Sequence, residues 1–283
     1  MTYTKKTWRL IKTPPAHGTS NMAVDEAVLE AVGKDTVPPT LRLYAWEPPC
    51  LSLGYAQPAA DVSLEELTYR GWELVRRPTG GRAILHTDEL TYSVIGPLAE
   101  PNLAGGILES YSNLSRALLS ALHMLGIPAE AQERSAGPDA NAIERGVEKN
   151  NNPVCFEIPS NYEITADGKK LVGSAQARRK QGVLQHGSLP LCGDLTRVVQ
   201  VLKFLDDREQ EDAARRLSNR AITAEGALGY SISWETAADS FVSAFRDTLN
   251  LELQLSDLTT GEQRRAEQLI QEKYTNPEWN FRI

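Results

Sequence analysis

Three cysteines, four histidines and two groups of basic residues are what this 283-residue chain offers for chemistry. Cys155 stands where a polar stretch meets an apolar one, in Asn-Asn-Pro-Val-Cys-Phe-Glu-Ile-Pro. A thiol attacks as its thiolate, and near neutrality that form needs positive charge close by. The run from Gly168 to Gly193 can supply it: five basic residues (Lys169, Lys170, Arg178, Arg179, Lys180) and no acid. Lys170 opens Lys-Leu-Val-Gly-Ser-Ala-Gln, where an ammonium can favour a thiolate or donate to a carbonyl oxygen. Gly173 and Ala175 leave room for a ligand to approach the backbone. From the residues alone two plainer roles stay open: Cys155 as a small buried hydrophobe, and Lys170 as a solvated strand lysine. Cys50, in an apolar run, and Cys192, at a strand end, read as structural.

A second group lies in Arg76-Arg77-Pro78-Thr79-Gly80-Gly81-Arg82, a glycine turn flanked by arginines. Its backbone N–H groups can cradle a phosphate or an acyl carbonyl, although the Lys-Ser/Thr ending of a nucleotide-binding loop is missing. Leu74 to Thr87 holds three arginines and no acid, whereas Asp206 to Asp212 holds five acids and one arginine. Two basic islands on a chain of net charge -7 point to an anionic substrate or an acidic partner, or else to solvated strand faces. His86 and His186 each read as structural when taken alone. No metal-ligand spacing, Gly-x-Ser-x-Gly elbow or Gly-x-Gly-x-x-Gly fingerprint is present.

The elements that must hold these groups are legible from periodicity. A helix is expected over 20–33 with Ser20 as N-cap, a strand over 40–46, and a short strand over Cys50–Gly54. Ser63 and Glu66 form a capping box, and strands follow at ELVRR, RAILH and ELTYSVIG. A helix spans 106–125 with Leu108, Tyr111, Leu114, Leu118, Leu122 and Leu125 as its apolar stripe. Residues 133–153 read as a long loop. Asp167-Gly168 is a two-residue hairpin turn between NYEITA and KKLVGSAQAR, and VLQHGSLPL is a third strand. Helices are expected over 194–204, 208–217, 234–249 and 260–273, the last opened by Thr260 and Gln263.

The fold class is α+β, with mainly antiparallel mixed sheets flanked by helices and a helical C-terminal part. Residues 1–220 are read as the catalytic domain and 221–283 as a mainly helical extension, packed on the same core or separate. The net charge argues against a nucleic-acid partner. The absence of a long apolar run argues against a membrane span. Three sparse cysteines and no apolar leader predict a reducing, cytoplasmic setting.

Taken in order, Ser20–Glu26, Trp46–Pro49, Leu51–Tyr55, RRPTGGRAILH (Arg76–His86), KLVGSAQ (Lys170–Gln176) and Gln185–Leu189 resemble the lipoate–protein ligase and octanoyltransferase family. Arg82 stands where the ATP-dependent ligases carry a third glycine, and His86-Thr87-Asp88-Glu89-Leu90-Thr91-Tyr92 replaces their next signature. With Cys155 fifteen residues before the motif lysine, the pattern is closest to the cysteine-dependent octanoyltransferase branch. The resemblance implies the biotinyl/lipoyl ligase-transferase fold. It also implies transfer of octanoyl from acyl carrier protein to a lysine of lipoyl domains or glycine-cleavage H protein through a thioester on Cys155. Lys170 would be the catalytic partner. Arg76, Arg77, Gly80, Gly81, Arg82, His86, Gly173, Ser174, Ala175, Gln176, His186 and Gly187 would bind substrate. No metal and no cofactor beyond the donor's phosphopantetheine thioester would be needed. An ATP-dependent ligase and an amidotransferase between lipoyl-bearing proteins are the alternatives. In a regular hairpin Lys170 faces Thr165, and Cys155 would then lie about 30 Å along the strand at roughly 3.3 Å per residue, unless the chain turns back at Pro159.

Overall fold

The structure is a computed structural model that describes residues 5–133 and 162–283. Eleven strands occur among them: β1 (Lys6–Lys12), β2 (Thr40–Tyr44), β3 (Cys50–Leu53), β4 (Glu73–Arg76), β5 (Ile84–His86), β6 (Glu89–Gly96), β7 (Ala129–Glu133), β8 (Tyr162–Ala166), β9 (Lys169–Arg179), β10 (Gly182–Pro190) and β11 (Leu251–Leu255). They form an eight-stranded sheet, β11-β1-β2-β6-β10-β9-β8-β7, and a three-stranded sheet, β4-β3-β5. β1 runs parallel to both β11 and β2, and the rest of the large sheet is antiparallel. The architecture is the expected α+β one, with mixed sheets and flanking helices.

The alternation of the central strands sorts residues to two faces. Leu41, Leu43, Tyr92, Val94, Val183 and Leu189 turn to one face, where they meet α3 (Ile107–Met124) and the helix Trp234–Thr248 in the main core. In α3 the expected stripe is buried at Leu114, Leu118, Leu122 and Leu125, but its first member, Leu108, is exposed. The opposite face carries α1 (Gly18–Gly33) and, across a gap, the small sheet. α2 (Leu64–Arg70), a 3₁₀ turn (Leu195–Val201) and α4 (Asp207–Arg220) cover the small sheet's outer side. Residues 221–283 pack on both sides of the large sheet: Phe241 and Phe245 lie in the main core, Ala266, Leu269 and Tyr274 pack with Met22 and Ala23 of α1, and β11 extends the sheet.

Two helix starts differ from expectation, each for a tertiary reason. α1 begins at Gly18 rather than after Ser20, because Glu73 from β4 accepts the Gly18 N–H at 2.9 Å. A carboxylate at a helix N-terminus also meets the positive end of the helix dipole. The helix Thr260–Leu269 is capped by Thr259 with Glu262, one residue earlier than the Thr260 and Gln263 pair. Glu262 is chosen because it also receives both terminal nitrogens of the buried Arg9 on β1, at 2.6 and 3.1 Å. The expected long loop and the proposed turn at Pro159 fall outside the described residues, apart from Glu133, which ends β7.

Candidate active site

A narrow cleft opens between the two sheets. One wall is the large sheet. Tyr44, Thr91, Ser188 and Gly173 lie side by side across four strands, and Arg42, Ser93, His186 and Ala175 form the next row. Met22 of α1, Trp46, and Ser52, Ile84 and His86 of the small sheet close the other side, with Arg77 and Gly81 at the glycine turn. Gly80-Gly81 is not a hairpin turn, since β3 lies between β4 and β5. It is a crossover loop pressed against Gly54, where a Cβ would sit 1.8 Å from the Gly81 carbonyl oxygen.

Lys170 reaches the same sheet face through an irregularity. The turn at Asp167-Gly168 has both residues left-handed, φ 51° and 71°, and Thr165 pairs with Lys170 as expected. The next pair is Ile164 with Val172, so one extra residue, Leu171, enters β9. Leu171 and Val172 both turn into the main core. That breaks the alternation and puts Lys170 on the face of Gly173 and Ala175; re-aiming a side chain is what bulges do. Lys170 is 6% exposed, and its Nζ lies 3.4 Å from Oε1 of the equally buried Glu163.

The loop itself is wound on Arg77. Its guanidinium donates to the carbonyls of Gly80 (2.9 Å), Arg82 (2.7 Å) and Ser52 (2.8 Å), and to Ser52 Oγ (3.0 Å). Ser52 Oγ, which also accepts from Arg77, lies 2.8 Å from His86 Nε2. His86 Nδ1 lies 2.7 Å from Glu89 Oε1, a carboxylate oxygen that can only accept, so Nδ1 carries a proton and donates it. Thr91 and Ser188 also donate to that oxygen. The His86 ring stacks on Trp46, with centroids 3.9 Å apart.

A second network anchors His186. Its Nε2 lies 2.7 Å from the Thr79 hydroxyl oxygen, and its Nδ1 3.6 Å from Asp25 Oδ2. Burial pulls the His186 pKa below its ordinary 6.5, against the opposing pull of Asp25. Burial acts to raise the Asp25 carboxyl, but Arg42 at 2.8 Å, followed by His186, holds it below 3.8. Tyr44 and Ser93 complete its shell.

The structure thus brings Arg77, Gly81, His86, Gly173, Ser174, Ala175, His186 and Gly187 to one cleft. Three expected residues do other work. Arg76 is fully buried and donates to the carbonyls of Gly54, Gln57 and Asn280, so its charge is spent on backbone rather than presented to a ligand. Gln176 points to the opposite face and bonds Gln185 and Ser110 of α3. Arg82 contributes its carbonyl to Arg77 and does not line the cleft. Ser174 touches the cleft, while its hydroxyl bonds Tyr92, whose phenol burial pushes up to about 12. Gly80 is exposed at the loop tip. Sequence reasoning missed Asp25, Arg42, Ser52, Glu89 and Glu163. The available signal was a charged residue inside an apolar pattern, as at Arg42 in TLRLY and Asp25 on the buried side of α1.

Cys155 lies outside the described residues. Of the two described cysteines, Cys50 is fully buried, and burial, with Glu73 and Glu89, raises its pKa well above 9.0. Burial, with Asp88 and Glu225, also raises Cys192. Neither environment favours a thiolate.

The family model described as the lipoyl protein ligase A/B catalytic domain matches residues 17–246. Octanoyltransferase LipM of Kyrpidia tusciae is 42% identical over 98% of this chain and 99% of its own length. Its counterpart in Symbiobacterium thermophilum is 39% identical over 97% and 98%. Among solved structures, a bi-partite lipoate protein ligase from Thermoplasma acidophilum shares the fold at a TM-score of 0.78, with 23% identity and 98% and 96% of the two chains covered. Lipoate-protein ligase A bound with ATP does so at 0.76, with 24% identity and 98% and 99% covered. The chain belongs to the lipoate–protein ligase and octanoyltransferase family, and within it to the octanoyltransferases.

Proposed function

We propose that this enzyme carries octanoyl from the phosphopantetheine thioester of acyl carrier protein to a lysine of a lipoyl domain or glycine-cleavage H protein, with Cys155 as nucleophile and Lys170 as its cationic partner. The Cys155 thiolate attacks the thioester carbonyl, and the carrier's sulfur leaves as a thiolate that takes a proton from solvent. The neutral ε-amine of the acceptor lysine then attacks the enzyme thioester. An amide forms, Cys155 leaves as thiolate, and the amine's proton passes to solvent. The first exchange is nearly balanced in energy, and the amide drives the second, so no nucleotide is required.

The observation that carries this reading is Lys170, a buried ammonium turned by the β9 bulge to the face of the Gly173–Ala175 cleft wall. A fixed cation there is worth most where developing negative charge is shielded from water. The raised pKa of both Cys50 and Cys192 disfavours a thiolate at either, which supports Cys155 as the nucleophile. Octanoyl transfer is also what the names of the relatives describe.

Intact-mass spectrometry after mixing with octanoyl carrier protein tests the scheme. An octanoyl adduct is expected on the wild type and not on Cys155→Ala, and it should be discharged by a lipoyl domain without nucleotide. Product that forms only from free octanoate with ATP would instead make the enzyme a ligase. Product that forms only from an octanoylated H protein would make it an amidotransferase.

A further inference from the structure

The cations that frame the cleft divide into those used inside the protein and those left outside. Arg76 and Arg77 serve backbone carbonyls, and Arg178 is tied to the Leu103 carbonyl at 3.0 Å. Outside the Pro78–Gly81 loop, whose inner side lines the acyl cleft, a different group gathers. Tyr55 is fixed there by its N–H to the Thr79 carbonyl at 2.8 Å. The Arg282 guanidinium lies 3.9 Å over the Tyr55 ring, and Arg179 lies 5.7 Å from it while donating to the Pro78 carbonyl at 3.3 Å. Trp279 supports Arg282 from behind at 5.2 Å. The buried Arg76 locks that segment down through the Asn280 carbonyl.

Lys273, the third cation nearby, already holds Glu26. Arg179 and Arg282 have no carboxylate partner among the described residues. Two exposed guanidiniums beside a phenol hydroxyl, on a protein of net charge -7, form a local positive site against the overall field. Their positive field registers in Tyr55 itself: a hydrogen bond and charge from Arg282, with Arg179 and Lys273, pull the phenol below 10.0.

We propose that Arg179, Arg282 and Tyr55 form an anion site at the mouth of the cleft that takes the phosphodiester of a pantetheine arm. The proposal rests on the carrier-thioester reading above. Planar guanidiniums match phosphate oxygens in a way a lysine cannot. The phosphodiester is the one charged group of the arm, and it follows the thioester outward, as this site follows the cleft outward past the loop.

The test compares three donors (octanoyl-pantetheine, octanoyl-phosphopantetheine and octanoyl carrier protein) on the wild type and on a double variant, Arg179→Gln with Arg282→Gln. Both side chains are exposed, and an unchanged melting curve checks the fold. The wild type should prefer the phosphorylated small donor by about tenfold in kcat/KM, the effect of one charge-assisted contact. In the double variant that preference should vanish through KM, with kcat unchanged. Equal losses on both small donors overturn the site. A loss confined to the carrier protein overturns it too, because the arginines would then read the protein surface. If the wild type uses none of the three thioesters, the underlying transferase scheme falls, and this site with it.

Discussion

Glu89, the carboxylate behind His86, takes three side-chain hydrogen bonds, and its removal has a calculable cost. One of its oxygens receives His86 Nδ1 at 2.7 Å, Ser188 Oγ at 2.8 Å and Thr91 Oγ1, and the residue is 5% exposed. The histidine bond to a carboxylate is worth about 1.5–3 kcal/mol, and each hydroxyl bond about 1 kcal/mol. Glu89→Ala should therefore lose about 3.5–5 kcal/mol, a large part of the roughly 5–15 kcal/mol that holds a domain together. Glu89→Gln keeps an acceptor in place without the charge and should lose about 1–2 kcal/mol.

The loss has a chemical signature beyond stability. With Glu89 present, His86 is held with a proton on Nδ1, because the carboxylate oxygen 2.7 Å away can only accept. Without Glu89 that preference disappears, and the ring on Trp46 loses its fixed orientation. Urea unfolding measures the energies, and nitrogen-15 spectra of the histidine rings identify the tautomer. An Ala variant within about 1 kcal/mol of the wild type, or a wild-type His86 with its proton on Nε2, would refute the relay.

Three further outcomes follow from the same geometry. Gly187→Ala places a Cβ 2.6 Å from the Gly173 carbonyl oxygen and 2.7 Å from Tyr92 Cε1, between strands paired on both sides; the variant should lose about 1–3 kcal/mol in urea unfolding, and no change would mean the strands part more easily than their pairing implies. His186 binds protons more weakly in the fold than at its ordinary 6.5, so the unfolded chain takes up more protons just below that value. Stability should accordingly fall as pH drops below about 6.5, with a slope shallower by up to one proton, about 1.4 kcal/mol per pH unit, in His186→Asn; identical slopes in both proteins refute the assignment. Arg76→Lys cannot reproduce the fork that joins Gly54, Gln57 and Asn280, so hydrogen exchange should accelerate at Asn280 and around Gln57 while the α3 interior stays protected.

What was legible in the sequence was whatever is decided within a few residues. The Asp167-Gly168 turn needs two left-handed residues and has the pair best suited to it, so the register opposite Thr165 followed. The stripe of α3 is local in the same sense, apart from the exposed Leu108, and so is its end before Gly126, whose φ is 84°. Parallel pairing of β1 with β11 joins Lys6 to Leu251 across most of the chain and leaves no local trace. The start of α1 depends on Glu73, and the capping box near Thr259 depends on Arg9. In both cases adjacent candidates look equal until a distant strand supplies the deciding bond. Arg76 was misread for a related reason: an arginine beside a glycine turn looks like an anion ligand, and only the folded chain reveals the cage of carbonyls around it.

The assembly of the cleft turns on parity. Along a regular strand Lys170 shares a face with Val172 and Ser174, and Gly173 and Ala175 look the other way. A motif that needs its lysine on the face of its small residues therefore cannot be satisfied by the spacing in KLVGSAQ alone. The inserted Leu171 resolves this by sending two consecutive apolar side chains into the main core. A regular strand would bury only one of Leu171 and Val172 in this core; burying the second, worth about 1.5–3 kcal/mol, drives the bulge. The position of the ammonium is thus held by hydrocarbon on the far side of the sheet. Glu163, on the near side, then needs only to orient a side chain whose backbone is already turned toward the cleft.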